Sequence, residues 1–146
     1  MSVAAVNVIV REFQPGDYAA ARSLWLASDG VGLSPGDAEH EVRAFLTRNP
    51  GMSFVALGGD SLVAAVLCGH DGRRGYLYHL AVATSHRRRG LGRVLVERCL
   101  AALSAVGIRR AQVSVFGTNE LAKAFWASVG GRSRPDLAIL QVSLEG

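Results

Sequence analysis

Residues 86–96 read HRRRGLGRVLV. Arg87, Arg88, Arg89 and Arg93 crowd around Gly90 and Gly92, and the chain then turns apolar. Upstream lies YLYHLAVA (76–83), rich in β-formers and therefore a predicted strand. Downstream, Leu91, Val94, Leu95, Cys99, Ala102 and Leu103 recur at helical spacing until Gly107, which predicts an amphipathic helix. A strand that enters a glycine turn and then a helix builds an anion site. The first helical N–H groups have no internal acceptor, and the helix dipole places partial positive charge among them. Glycine lets the backbone come close to a ligand. Arginine adds charge-assisted, often bidentate, hydrogen bonds to phosphate oxygens.

Spacing excludes two common phosphate ligands. A P-loop requires Lys-Ser or Lys-Thr after its last glycine, and none follows here. A dinucleotide fingerprint requires a third glycine where Leu95 stands, and an acidic residue about twenty positions on. Neither is present.

Outward from this motif, the chain reads as alternating elements. VNVIVREF (6–13) predicts a strand. Asp17 is positioned to cap a helix reaching about residue 28, with Tyr18, Ala21, Leu24 and Trp25 on one face. Ser34, Pro35 and Asp37 mark the start of a second helix, whose buried stripe is Ala38, Val42, Phe45 and Leu46, stopped by Asn49-Pro50. SFVAL (53–57) and SLVAAVLCG (61–69) flank a Gly58-Gly59-Asp60 turn, and with 76–83 predict an antiparallel meander. RAQVSVF (110–116) predicts a strand, Thr118 a cap, and Leu121, Ala122, Phe125 and Val129 a last helix ended by Gly130-Gly131. LAILQVSL (137–144) predicts a closing strand. The order β-α-α-β-β-β-α-β-α-β gives an α/β domain on a mixed sheet.

Composition narrows the class. A chain of 146 residues suits one domain, here 1–146, and an apolar content of 49% excludes a disordered chain. Cys68 and Cys99 stand far apart in apolar runs, matching neither a disulfide framework nor a metal knuckle, so no metal is expected. Reduced thiols and the lack of a basic leader or long apolar span predict a cytoplasmic protein without a membrane partner. The net charge of +4 suits an anionic ligand without naming it.

Arg87-x-x-Gly90-x-Gly92, preceded by HLAV, resembles the acetyl-CoA signature of the GNAT superfamily of N-acetyltransferases. TNELAKAFWASVGG (118–131) resembles the later family segment, in which Asn, Ala and an aromatic pair precede a helix-ending glycine. The predicted element order is similar over nearly the whole chain. The resemblance implies a single GNAT-like domain with a mixed, mostly antiparallel sheet of six to seven strands flanked by about four helices. It implies that Leu80, Ala81 and Val82 present backbone groups to the pantetheine arm where two strands splay apart. It also implies that N–H groups across Arg88, Arg89, Gly90, Leu91, Gly92 and Arg93 surround the pyrophosphate with help from Arg87, and that Asn119, Phe125 and Trp126 line the other side. Leu80, Val82 and Phe125 also read as plain core residues, and Arg89 as a residue pointing to water.

Acetyl transfer needs a deprotonated amine, a polarised thioester carbonyl and a stabilised or protonated thiolate. The family often uses a tyrosine as the thiol acid at the position that is Trp126 here. An indole N–H donates a hydrogen bond but is no proton source at neutral pH. Strict strand alternation puts Tyr76, Tyr78 and Leu80 on one face and Leu77, His79 and Ala81 on the other. His79 is a candidate base or water relay, and also reads as a sheet histidine bonded to backbone. Tyr78 is a candidate acid or substrate-ordering group, and equally a packed strand residue. The segment 30–37 and the strand end near Tyr78 are candidates for acceptor specificity. The leading expectation is direct acetyl transfer from acetyl-CoA to an amine, with a homodimer compatible with open strand edges. A non-catalytic acyl-CoA sensor of the same fold is the alternative. A nucleic-acid-binding role lacks aromatic residues interleaved with the basic run, so no nucleic-acid partner is expected.

Overall fold

A computed structural model of the chain describes residues 8–145. Among these residues the sheet has five strands in sequential order: β1 (Val8–Glu12), β2 (Phe54–Gly58), β3 (Ser61–His70), β4 (Gly75–Val82) and β5 (Ala111–Val113). β1 to β4 pair antiparallel and β5 joins β4 parallel. Four α-helices cover the sheet: α1 (Tyr18–Leu26), α2 (Glu39–Arg48), α3 (Leu91–Ala105) and α4 (Glu120–Ser128). The parallel β4–β5 pair requires a crossover, and α3 supplies it.

Two cores follow from the alternation of β3. Ala64, Val66 and Cys68 point to the side covered by α3, where Leu91, Leu95, Val96, Cys99 and Leu103 meet them. Ala65 and Leu67 point to the opposite side, against Ala21 and Trp25 of α1 and Val42 of α2. Trp25 and Leu95 are fully buried, one in each layer. Burying such a side chain contributes roughly 1.5–3 kcal/mol.

The sheet is smaller than the six to seven strands expected. Residues 137–144 form no strand, and Leu137, Ile139, Leu140, Val142 and Leu144 are all exposed. Their alternation slips by one position between Ile139 and Leu140, so no register puts every apolar side chain on one face. β5 also stops at Val113 rather than continuing to residue 116, which leaves little edge to pair with. The first two residues of the predicted strand at 6–13 lie outside the described residues.

Two caps differ from expectation. Asn119, not Thr118, caps α4, its Oδ1 accepting from the Ala122 N–H at 3.0 Å. Asp17 does not cap α1 with its side chain. It accepts from the Gln14 N–H at 2.8 Å and pairs with both terminal nitrogens of Arg11, at 2.7 and 2.9 Å. The Arg11 hydrogen bond, against the opposing effect of burial, holds the Asp17 carboxyl below its ordinary 3.8. A carboxyl lowered by folding adds stability that is present above 3.8 and lost as pH falls through the folded value. Asp17→Asn is therefore expected to cost about 1 kcal/mol at neutral pH. Chemical denaturation at pH 7 and pH 3 checks this, since the difference between variant and native protein shrinks in acid.

Candidate active site

β4 carries a bulge. Ala65 pairs with Ala81 and Leu67 with Tyr78, so Val66 alone faces both His79 and Leu80. His79 takes φ of 56°, in the left-handed region that non-glycine residues rarely occupy. The extra residue resets the alternation. Leu77, Leu80 and Val82 belong to the α3 side, while Tyr78, His79 and Ala81 share the α1/α2 side. The strict alternation read from the sequence is therefore corrected: His79 joins Tyr78, and Leu80 turns away from it.

Three contacts hold the bulge. The Trp25 indole N–H donates to the His79 carbonyl at 2.9 Å, and the two rings lie 5.1 Å apart. On the imidazole itself, Nε2 donates to Asp37 Oδ1 at 2.7 Å. Both side chains are largely buried, at 16% and 14% exposure. The other ring nitrogen, Nδ1, takes no hydrogen bond among the described residues.

Asp37 is itself tightly held. Its Oδ2 accepts from the Ser34 N–H at 2.9 Å, closing a capping box on a 3-10 turn at Pro35–Asp37 that extended Ala38 separates from α2, so these residues precede the second helix rather than start it as expected; its carbonyl accepts from the Tyr18 hydroxyl. One carboxylate thus fixes the turn before α2 and orients an imidazole on β4. The pairing to His79 was missed from the sequence, because 42 residues separate the partners. The cap explained Asp37 fully without it.

A cavity of about 470 Å³ opens in front of this pair. Gly32, Ser34 and Gly36 form one wall, from the segment singled out for acceptor specificity, and Leu67, Tyr78 and His79 form the floor. From α2 come Glu41, Val42, Ala44, Phe45 and Arg48, none of which the sequence reading placed in a site. Tyr78 lies edge-on to Phe45 and stacks along Tyr76. Burial, with Tyr76 alongside, pushes its phenol up, so it remains a hydrogen-bond donor at neutral pH.

On the other face of β4, the glycine turn meets α4. Gly90 sits before α3 with φ of 82°, and Arg88 has φ of 63°. Left-handed residues in a turn curl successive N–H groups into an anion-binding concavity. The first helical carbonyl to accept is that of Gly90, from the Val94 N–H at 3.1 Å, so the N–H groups before it have no intrahelical acceptor. Gly92 packs closely: a Cβ there would stand 3.2 Å from the Phe125 ring and 3.9 Å from Leu80. Phe125 in turn meets Trp126 edge-on at 5.3 Å.

The arginines divide. Arg87 Nε donates to the Val82 carbonyl at 2.9 Å, and Arg93 Nη2 donates to the Ser128 carbonyl at 2.8 Å, at the carboxyl end of α4. These two brace the turn. Arg88 and Arg89 are exposed. The Leu91 side chain is buried in the core, so its backbone alone faces the turn. β4 and β5 pair only from Gly75↔Ala111 to Leu77↔Val113. Beyond that point, Leu80, Ala81 and Val82 have no β5 partner. Asn119 spends its Oδ1 on the α4 cap, with its Nδ2 packed against Gly30.

Cys68 and Cys99 are fully buried, and the neighbouring Cys68 thiol together with burial raises Cys99 far above the ordinary thiol range. Neither is a usable acyl carrier. Among the described residues, no three His, Cys, Asp or Glu side chains are placed to hold a metal, and no helix is long and apolar enough to cross a membrane.

The Acetyltransferase (GNAT) family matches residues 18–130, a span containing the bulge, the glycine turn and the Phe125–Trp126 pair. The chain belongs to the GNAT acetyltransferase family. Curated relatives agree: an acetyltransferase of Pectobacterium atrosepticum is 31% identical over 76% of this chain and 78% of its own length. One from Sodalis glossinidius is 30% identical over the same shares. Among solved structures, an aminoglycoside acetyltransferase from an uncultured soil metagenomic sample, in complex with sisomicin, aligns with a TM-score of 0.75. It covers 97% of this chain and 99% of its own at 16% identity. Ard1 from Thermoplasma volcanium aligns with a TM-score of 0.74 at 18% identity, covering 85% and 82%. At these identities the structural likeness establishes the shared GNAT fold alone.

Proposed function

We propose that this GNAT protein is an acetyl-CoA-dependent N-acetyltransferase that moves the acetyl group directly to an amine. The bulge at His79 and Leu80 carries the reading. It turns His79 to the cavity beside Asp37 while its neighbour Leu80 lies toward Gly92 and Phe125. One point of one strand thereby borders both an acceptor-sized cavity and an anion-binding turn, which suits a reaction between two bound substrates.

The turn fits a CoA pyrophosphate. The N–H groups around Gly90, Leu91 and Gly92 supply donors, and Arg88 and Arg89 supply charge at the rim. Arg87 and Arg93 keep the turn in shape. Toward β5, where β4 has no partner beyond Leu77, the backbone at Leu80, Ala81 and Val82 offers hydrogen bonds to an amide-bearing arm, and an N–H on that edge suits an oxyanion. Phe125 and Trp126 pack behind the glycines. Acetyl-CoA, when bound, supplies the activated acetyl thioester.

On the acceptor side, Asp37 keeps a proton on Nε2 of His79, which leaves Nδ1 as the acceptor for the amine's proton. The C–N bond forms as the C–S bond breaks, CoA leaves as the thiolate with the C–S electron pair, and the amine proton passes to His79 directly or through water. Trp126 contributes shape and no proton. Tyr78, held as a phenol, orders the acceptor by donating a hydrogen bond. The free thiols of Cys68 and Cys99 suit a reducing cytoplasm.

Calorimetric titration with acetyl-CoA, CoA and a short DNA duplex, followed by free-thiol release with an amine panel, tests the proposal. Saturable acetyl-CoA binding indifferent to DNA, with amine-dependent thiol release, is expected. Binding without release for every amine would favour the acyl-CoA sensor. Absence of acetyl-CoA binding would overturn both.

A further inference from the structure

The cavity beside His79 is chemically zoned along α2. Glu41, Phe45 and Arg48 recur at helical spacing and all line it. Asp37 and Glu41 lie at the amino-terminal end of α2, with His79 against Asp37. Arg48 is the last residue of the helix, about two turns from Glu41, or roughly 10 Å at 1.5 Å per residue. Between the charged ends stand Ala44, Phe45, Leu67 and Tyr78. The acid end receives a cation and the far end an anion, with an apolar and aromatic strip between.

The Arg48 guanidinium has no ion pair among the described residues. It also borders a second cavity of about 180 Å³ that contains Asp71. That carboxylate is occupied elsewhere, accepting from the Arg73 and Arg74 N–H groups at 2.8 Å each and from the Tyr76 hydroxyl at 3.4 Å. Among the described residues, the Glu41 carboxylate has one ion-pair neighbour, His40 at 3.8 Å. Glu41 at one end and Arg48 at the other therefore keep their charge for a ligand, while Asp37 is committed to His79 and Ser34.

Resting on the acetyl-transfer reading, we propose that the acceptor is an elongated zwitterion: a primary amine that enters beside Asp37 and His79, joined by a mostly apolar spacer to a carboxylate that Arg48 receives. An extended tripeptide spans this separation at about 3.5 Å per residue. An ω-amino carboxylate of similar length has the same chemistry. The spacer lies over Phe45 and Tyr78.

The test compares four amines in thiol release with acetyl-CoA: 6-aminohexanoate, hexylamine, Gly-Gly-Phe and Gly-Gly-Phe amide. The native protein is expected to prefer each carboxylate over its neutral counterpart by about tenfold or more in kcat/KM, carried mostly by KM. The stronger of the two carboxylate substrates then distinguishes peptide from ω-amino acid. Arg48→Ala should collapse the carboxylate-to-neutral ratio toward one, Arg48→Lys should restore part of it, and Arg48→Glu should shift preference to 1,6-diaminohexane. A native ratio near one, or a ratio that survives Arg48→Ala in a protein of unchanged circular dichroism, overturns the proposal while leaving acetyl transfer standing. Saturation-transfer NMR of 6-aminohexanoate with the CoA-bound protein gives an independent readout. Arg48-dependent binding without turnover would keep the acceptor class and remove the transfer reading. Neither binding nor turnover would overturn both.

Discussion

His79→Asn is expected to lower turnover by about 10²- to 10⁴-fold, the usual contribution of a positioned general base, while leaving acetyl-CoA affinity unchanged. Asparagine is the informative replacement because the backbone at 79 has φ of 56°, which asparagine tolerates far better than alanine. His79→Ala would mix loss of the base with strain in the bulge. In the native protein, turnover should fall as the imidazole takes up a proton, which gives an acidic limb in kcat/KM against pH. That limb should flatten in His79→Asn. Asp37→Asn should act more mildly and through position: Asp37 touches His79 at 2.7 Å rather than the reacting atoms. An amide in its place still accepts a hydrogen bond from Ser34 but no longer stabilises a charged imidazole. Asp37→Asn should therefore lower kcat less than His79→Asn does, with acetyl-CoA affinity by calorimetry unchanged. An unaltered pH–rate profile in His79→Asn would remove His79 from the chemistry and leave it a strand residue bonded to a carboxylate.

What was legible in the sequence was local. The helix after Gly90, the 53–69 hairpin and the Ser34–Asp37 capping box all rest on periodicity or on groups a few residues apart. The two motifs also pointed to a pair of segments that the fold brings into contact, since Gly92 abuts Phe125. What the sequence hid was set by tertiary contact. Nothing in YLYHLAVA marks His79 for a left-handed conformation; the bulge depends on Trp25 donating to the His79 carbonyl and Asp37 holding the ring. Alternation was therefore misread at the residue where it mattered most. Nothing in the sequence singled out Arg48 either. Its place opposite Glu41 in a cavity depends on how α2 lies across β3 and β4. The predicted last strand failed for a readable reason: the phase slip at 139–140 is in the sequence, but it weighs against a strand only when the sheet edge beyond Val113 is known to be short.

Gly92→Asp is expected to weaken acetyl-CoA binding by roughly a thousandfold, about 4 kcal/mol, the scale of two like charges some 4 Å apart near a protein surface. Position 92 is the second residue of α3, where a carboxylate competes for the same N–H groups as a phosphate and repels it. The same carboxylate favours the helix, because negative charge near a helix N-terminus is stabilising. The fold is therefore expected to survive, although the new Cβ must press Phe125 aside from 3.2 Å. That steric part needs its own control. Gly92→Ala introduces the contact without the charge, and should cost far less affinity than Gly92→Asp if electrostatics at the turn dominate. Equal losses in the two variants would assign the effect to Phe125, whose displacement disturbs the packing against Leu80 and Trp126. Raising salt separates the two further, since repulsion at an exposed turn is screened and a displaced ring is not. Calorimetry with acetyl-CoA at two ionic strengths, beside circular dichroism and thermal melting of each variant, makes the measurement. Unchanged affinity in a folded Gly92→Asp protein would remove the pyrophosphate from this turn and, with it, the cofactor half of the proposed reaction.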